Sequence, residues 1–286
     1  MKSQPVIKEI STAAFTATLY FDFFNKRLRI DEYRGNVEEL IGAIRNIVQE
    51  ERFTKVIFHS RPEHWQQLLS QGFELEAIFS GFFNGTDNYT MAFYTDDARR
   101  TSNVWMKENE ILARVIIKGK QPETKTAPSH YHFRKATLSD SSNLANLYGS
   151  VFKVYPTPMD HEEYVKKVMN GGTIFYIVEC NNEIVSAASA DINKQFNHAE
   201  LTDCATLSEH RKYGLMKKLL IKLEDELRKE KIYCSFSIAR ALSFGMNAAF
   251  YQLDYTYRGR LTNNCYIYEK LEDMNVWVKD LSKKYQ

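Results

Sequence analysis

Ala199-Glu200-Leu201-Thr202-Asp203-Cys204-Ala205-Thr206-Leu207, followed by Ser208-Glu209-His210-Arg211-Lys212-Tyr213-Gly214-Leu215-Met216, is the stretch on which the fold turns. Its first part alternates apolar and polar residues, as a half-buried strand requires. Its second part is short and basic and contains a glycine, and an apolar-periodic run starts directly behind it. Strand, tight loop and helix in that order make a seat for an anion. The first turn of a helix offers backbone N–H groups without intrahelical partners and the positive end of the helix dipole, and a glycine lets a phosphate come close. Arg211, Lys212, Lys217 and Lys218 alone would read as a solvated helix start. Gly214, in register between strand and helix, tips the reading to an anion site.

Outward from this stretch, the pattern is α/β (α+β), a mixed sheet flanked by helices. Leu215, Leu219, Leu223 and Leu227, with Met216 and Leu220 beside them, mark an amphipathic helix. A strand over Tyr233 to Ile238, a helix around Met246 to Leu253 and strands within Tyr255 to Glu269 follow. The spacing of Met274, Trp277, Val278 and Leu281 predicts a terminal helix. Upstream, Tyr131 to Arg134 reads as a strand, and Ser139-Asp140 opens a helix through Leu144, Leu147 and Tyr148. A further helix follows Pro158 and ends before Gly171-Gly172. Strands Thr173 to Cys180 and Glu183 to Ala190 flank the turn Asn181-Asn182, and the polar segment Asn193 to Asn197 leads into the central strand.

The first part of the chain has its own grammar. Thr16 to Tyr33 reads as a hairpin around Asn25-Lys26, and Asn36 as the N-cap of a helix through Leu40, Ile41, Ile44, Ile47 and Val48. A strand at Thr54 to Phe58, a helix from Pro62 to Gln71, and strands Leu75 to Phe83 and Tyr89 to Tyr94 around Asn84-Gly85 come next, then helical periodicity from Asp97 to Ile117. Lys118 to Ser129 holds two prolines and almost no apolar residue. The expected organisation is therefore an N-terminal α/β domain (1–117), a linker (118–130) and a second domain (131–286). Strand, helix, Gly72-Phe73 and hairpin in the first half echo strand, helix, Asp254-Tyr255 and strands in the second. The first half has no counterpart of Arg211 to Met216, so it reads as a degenerate copy without the anion loop.

The chain has 286 residues with a formal net charge of +2, which demands neither a nucleic acid nor an anionic membrane as partner. Aromatic residues make up 13%, with 17 Tyr and 18 Phe, which indicates ordered cores rather than disorder. No apolar run reaches the roughly 18 residues of a membrane span, and Met1 to Pro5 lacks a signal-peptide block, so a cytoplasmic location is expected. Cys180, Cys204, Cys234 and Cys265 sit far apart in apolar runs and read as buried thiols; with no CxxC pair and no histidine array, no metal is expected.

Arg211-Lys212-Tyr213-Gly214-Leu215-Met216 resembles the acyl-CoA pyrophosphate motif Q/R-x-x-G-x-G/A of the GCN5-related N-acetyltransferases (GNAT), with Met216 in place of the last small residue. Phe133-Arg134-Lys135-Ala136-Thr137-Leu138-Ser139-Asp140 is similar to that family's opening. Tyr20-Phe21-Asp22, Asn25-Lys26-Arg27, Gly81 to Gly85, Val154-Tyr155-Pro156-Thr157-Pro158, Tyr257 to Leu261 and Met274-Asn275-Val276-Trp277 further resemble the bacterial and archaeal β-lysine N-acetyltransferases, which are associated with the compatible solute N-ε-acetyl-β-lysine. The resemblance implies acetyl-CoA as donor, bound in the splay between two strands with its pyrophosphate on the helix. Thr206, Leu207, Arg211, Lys212, Tyr213, Gly214, Leu215, Met216 and Lys217 would hold it, Leu207 through its backbone. Asn247 would bond the cofactor or cap its own helix.

The implied acceptor is a small-molecule amine, β-lysine first, with another amine (a polyamine, an aminoglycoside or a protein terminus) or a non-catalytic acyl-CoA sensor as alternatives; no assembly beyond a homodimer is expected. A lysine-like ammonium has a pKa near 10.4, so about 4–5 kcal/mol oppose its use at pH 7 and a base is needed. Glu200 and Asp203 sit at positions of opposite parity on the strand and should face opposite sides unless a bulge intervenes; Asp203, nearer the splay, is the favoured base. Tyr251 is the candidate acid for the departing thiolate, although counting back from Tyr255 puts Phe250 at the expected place. For the acceptor's carboxylate the pool is Arg240, Arg258, Arg260, Asn263 and Asn264, and for its ammonium groups Tyr155 and Glu200.

Overall fold

The computed structural model describes residues 5–120, 127–267 and 270–283. The N-terminal half runs β1 (Val6–Ser11), β2 (Phe15–Asp22), β3 (Arg27–Gly35), α1 (Val37–Glu51), β4 (Lys55–Ser60), α2 (Trp65–Ser70), β5 (Glu74–Phe83), β6 (Thr86–Tyr94), α3 (Asp97–Arg100) and α4 (Trp105–Lys118). The C-terminal half runs β7 (His132–Lys135), α5 (Ser141–Val151), α6 (Glu162–Asn170), β8 (Ile174–Cys180), β9 (Glu183–Asn193), β10 (His198–Thr206), α7 (Leu215–Lys229), β11 (Cys234–Arg240), α8 (Phe244–Gln252), β12 (Thr256–Ile267) and β13 (Lys270–Asp280). Part of the expected linker, 121–126, lies outside the described residues. No helix among the described residues is long and apolar enough to cross a membrane.

The strands form one 13-stranded sheet in the order β1-β2-β3-β4-β6-β5-β12-β13-β11-β10-β9-β8-β7. The two-residue turns read from sequence are there for a backbone reason. Asn84-Gly85 has φ 50 and 103, and Asn181-Asn182 has φ 51 and 64, the doubly positive values that match a hairpin's twist and that Asn and Gly tolerate. The halves share one winding. β3, α1, β4, α2, β5 and β6 repeat the order of β10, α7, β11, α8, β12 and β13, with a parallel pair first (β3 with β4, β10 with β11) and the last strand inserted beside it. They join at β5 and β12, where Gly259 pairs with Ala77. Gly259 has φ +137, and a Cβ there would sit 2.2 Å from the Glu76 carbonyl oxygen, so only glycine fits. Polar bonds lock the join: Lys55 Nζ donates to Glu76 Oε1 (3.0 Å) and to the Thr262 carbonyl (2.7 Å), and Thr262 N donates to Glu76 (2.7 Å).

The expected terminal helix is instead β13. This strand lies between β12 and β11 and is buried on both faces: Met274, Val276 and Val278 pack into the core at the join, and Trp277 into the core beneath α7. A strand with two buried faces loses its period-2 signature, so helical spacing arises by coincidence.

Each half packs one long helix on its sheet. Leu40, Ile41, Ile44 and Val48 of α1 meet Leu28 and Ile30 of β3. Leu215, Leu219, Leu220, Leu223 and Leu227 of α7 meet Ala199 and Leu201 of β10, each stabilising by about 1.5–3 kcal/mol. The starts of these helices differ in chemistry. Asn36 caps α1, its side chain accepting from the N–H of Glu38 (3.0 Å) and Glu39 (3.3 Å), both acidic residues of the first turn. The first residue before α7 is Gly214 at φ 74, with no side-chain cap and no acidic residue in the first turn. An anion is repelled from the first site and welcomed at the second.

Candidate active site

β10 and β11 pair only from His198↔Cys234 to Glu200↔Phe236, although β10 continues along β9 to Thr206 and β11 along β13 to Arg240. Beyond Glu200 the two strands therefore splay, and α7 starts at the top of the opening. A cavity of about 970 Å³ fills it, lined by Lys118, His210, Arg211, Lys212, Lys217 and Arg240 together with Gly214, Leu215 and Met216. Asp203 is the sole carboxylate among its described lining residues. Uncapped helix start, cationic rim and open strand edges suit a pantetheine arm ending in phosphates. Lys212 at φ 73 and Gly214 at φ 74 turn the loop tightly through left-handed backbone between β10 and α7.

The other residues expected on this site take different posts. Thr206 lines the cavity, its hydroxyl bonded to Ser186 Oγ at 2.7 Å. Leu207 has its N–H on the Val185 carbonyl (3.0 Å) and its carbonyl on His210 N (3.0 Å), so its backbone is engaged within the protein and the open edge lies earlier on β10. Tyr213 is exposed, with its ring 5.7 Å from that of Tyr131, and lies outside the cavity lining. Asn247 is fully buried: its amide donates to the carbonyls of Arg240 (2.9 Å) and Ser243 (2.7 Å), and its oxygen accepts from Asn275 (2.9 Å) and Trp277 (2.8 Å). It fixes the end of β11 against α8 and has nothing left for a cofactor. Tyr251 faces Trp277 at 6.3 Å and is not in the lining, where Phe250 stands.

A second cavity, of about 550 Å³, lies between the halves. Thr18, Tyr20, Arg27, Arg29, Asp31, Glu32, His59 and Thr90 come from the N-terminal half, and Asp191, His198, Glu200, Thr202 and Asp203 from the C-terminal half. The β9–β10 turn closes it, with Asn197 Nδ2 donating to Asn84 Oδ1 (2.7 Å) and His198 Nδ1 to the Phe82 carbonyl (2.9 Å). Tyr155, Thr202, Asp203, Ile238, Ile267 and Met274 line both cavities, so the two meet at Asp203.

Both strand carboxylates reach this space because β10 bulges. Thr202 pairs with Ser189 but Ala205 with Ala187, one residue more on β10 than on β9, and Asp203 takes φ 49. The flip is visible in the packing: Ala199 and Leu201 lie in the core under α7, and Ala205 in the core under α5. Tyr148 OH on the Asp203 carbonyl (2.8 Å) braces the bulge. The Asp203 carboxylate accepts from Ser189 Oγ (2.7 Å) and Tyr155 OH (3.2 Å).

Burial pushes Asp203 up to about 6, against the two hydroxyls that hold it down and with Asp191 adding to the rise. Burial, then Asp191 directly across the ladder and Asp203, push Glu200 up to about 8, opposed by Arg29 and Arg27. Burial also raises the Tyr155 phenol well above its ordinary value, with Asp203 adding to it, and lowers His59 to about 3 and His198 to about 4. At pH 7 the junction thus holds an ionised Asp203, a largely protonated Glu200 and two neutral imidazoles.

Of the residues expected to read the acceptor, Tyr155 and Glu200 line this cavity, and Asn264 does so with its oxygens on Arg27 (3.0 and 3.1 Å). Arg240 lines the first cavity, paired with Glu272 at 3.0 Å. Arg258 is exposed outside both cavities, and Asn263 is bound to the carbonyls of Ala98, Arg99 and Thr101. Arg260 is tied to Glu108 (3.2 Å) and Asn275 (2.8 Å). The contribution of the N-terminal half to this cavity was missed. Its signal was the charged alternation Arg27, Arg29, Asp31 between the apolar Leu28 and Ile30 on one strand.

Residues 142–255 match the Acetyltransferase (GNAT) family. The chain is 38% identical over 276 residues to N-acetyltransferase YodP of Bacillus subtilis, covering 96% of this chain and all of that protein. It is 32% identical over 270 residues to a beta-lysine N(6)-acetyltransferase of Methanosarcina mazei, covering 87% and 100%. It is 31% identical over 255 residues to another from Methanococcus maripaludis, covering 89% and 93%. The splayed parallel strands, the uncapped basic helix start and these full-length likenesses agree, and the chain belongs to the GNAT family of acetyl-CoA-dependent N-acetyltransferases.

Proposed function

We propose that the protein transfers the acetyl group of acetyl-CoA to the ε-amine of β-lysine. The observation that carries this reading is the meeting of a cationic cavity and a carboxylate-rich cavity at Asp203. Glu200 and Asp203 lie three residues apart on β10, roughly 7–10 Å along a strand, about the reach of a four-carbon diamine with one ammonium at each end. The likeness to beta-lysine N(6)-acetyltransferases supports the same acceptor.

In this reading Asp203 takes a proton from the ε-ammonium. The freed amine attacks the thioester carbonyl, the C–N bond forms and the C–S bond breaks, and the nitrogen's second proton ends on the departing thiolate. Ser189 and Tyr155 keep Asp203 ionised near neutral pH by donating to it. Lys212 to Met216 hold the pyrophosphate through backbone amides, with Arg211, Lys217 and Lys118 supplying charge. Residues 1–117 act as a degenerate GNAT-like half that has given up its anion site, by the Asn36 cap and the acidic first turn of α1, and supplies a wall of the acceptor cavity.

The test is an amine panel. Purified protein with acetyl-CoA is offered β-lysine, lysine, spermidine, an aminoglycoside and a peptide with a free N-terminus, and thiol release is followed. β-Lysine is expected to give the highest kcat/KM. A higher value for any other amine refutes the assignment.

A further inference from the structure

Within the acceptor reading proposed above, we infer that Arg29, on β3 of the N-terminal half, seats the acceptor's carboxylate and so selects an amino acid over a plain diamine. β3 sends Leu28 and Ile30 into the core and Arg27, Arg29 and Asp31 to the cavity. Asp31 holds Arg29 by two bonds, from Nε and from Nη2 (2.9 Å), and the guanidinium carbon lies 4.4 Å from the centre of the Tyr20 ring. One edge and one face of the group are thereby fixed. Nη1 has no hydrogen-bond partner among the described residues, which leaves a preset fork for an oxyanion.

The other cations of the cavity do not compete for that role. Arg27 is engaged, with Nε on Asp22 (2.9 Å) and Nη1 on the Asn264 carbonyl (3.1 Å) and side-chain oxygen (3.0 Å), where it ties the halves together. His59 and His198, at about 3 and about 4, are neutral at pH 7. A second, independent observation also asks for a polar ligand on this wall: Thr90, 1% exposed, lines the cavity and its hydroxyl has no partner among the described residues. The facing wall carries Asp191 directly opposite Glu200, where a bound ammonium pairs with Asp191 and favours the ionised form of Glu200. Cation on one wall and carboxylates on the other match the two ends of a β-amino acid. Asp31 is the positioning residue of this arrangement, acting through Arg29.

The experiment compares β-lysine with 1,4-diaminopentane, which keeps both amines and their spacing and lacks the carboxylate. The wild type is expected to prefer β-lysine. In Arg29→Gln, kcat/KM for β-lysine should fall about 10–100-fold more than that for the diamine, mainly through KM, because a charge-assisted pair is lost for one substrate only. An equal loss for both substrates, an unchanged ratio, or a wild type without preference overturns the inference. Arg29→Lys keeps the charge without the fork and serves if the glutamine variant does not fold; its ratio should drop by about threefold or more, and an unchanged ratio again overturns the inference. The arms separate the two levels of the argument. A wild type that acetylates diamines but not β-lysine refutes the acceptor assignment itself, whereas β-lysine turnover with an unaltered variant ratio refutes only the role of Arg29.

Discussion

Replacing Gly214 by Asp and by Asn tests the donor site with a matched pair. Gly214 sits at φ 74 directly before α7, and Asn and Asp are the L residues that tolerate this region best, so both variants pay a similar backbone cost of about 1 kcal/mol. They differ by one negative charge. If a pyrophosphate carrying two charges docks about 5 Å away, each charge repels the aspartate by about 3 kcal/mol at an effective dielectric of 20, and by about 0.8 kcal/mol in bulk water. The rim is open to solvent, which favours the lower part of that span, about 2–3 kcal/mol in total. The expected result is a KM for acetyl-CoA roughly 30–150-fold higher in Gly214→Asp than in Gly214→Asn. The gap should narrow as salt rises, because exposed charges are screened. Steady-state kinetics against acetyl-CoA at low and high ionic strength, with thermal melts as a control for folding, read this directly. Equal KM values in the two folded variants would refute the placement of the pyrophosphate at α7.

Two further outcomes concern the acceptor side. With Asp203 at about 6, wild-type kcat/KM should fall below about pH 6; Asp203→Asn should lose about 10²–10⁴-fold at pH 7, with no inflection near 6 and activity climbing only at alkaline pH as free amine accumulates, and wild-type activity in the variant would exclude Asp203 as the base. Glu200, at about 8, has a folded value above its unfolded one, so the native state binds the extra proton, and the stability this confers is complete at acid pH and lost as pH rises through 8. Glu200→Gln imitates the neutral acid, so its Tm should match the wild type near pH 5 and exceed it near pH 9, and its KM for β-lysine should exceed the wild type's chiefly above about pH 8, where Glu200 ionises; a Tm difference independent of pH would contradict the burial argument.

The strand, loop and helix around the proposed donor site were legible in the sequence because their pattern is local. A strand, Gly214 and the leucine stripe of α7 are contiguous, and the structure sets six residues of the loop, Arg211, Lys212, Gly214, Leu215, Met216 and Lys217, around one cavity. The winding of the N-terminal half was legible too, through Asn36 and Asn84-Gly85. What escaped depends on distant partners. Parity placed Glu200 and Asp203 on opposite faces, and only the bulge braced by Tyr148 brings them together. β13 imitated a helix because both of its faces are buried. Asn263 reads in sequence as a ligand-reading amide and Asn247 as a cofactor contact or a helix cap, but their amides are taken by backbone and side-chain partners up to 165 residues away. Arg29 lines the proposed acceptor cavity only because β3 of one half and β10 of the other border the same space, a relation no local pattern encodes.

The central claim, acetyl transfer to the ε-nitrogen of β-lysine at the junction marked by Asp203, is tested most directly by isolating the product formed from acetyl-CoA and β-lysine and locating the acetyl group by NMR. The account predicts a single amide, at the ε-nitrogen. Acetylation at the β-nitrogen, or no product from protein that still binds CoA, would contradict it.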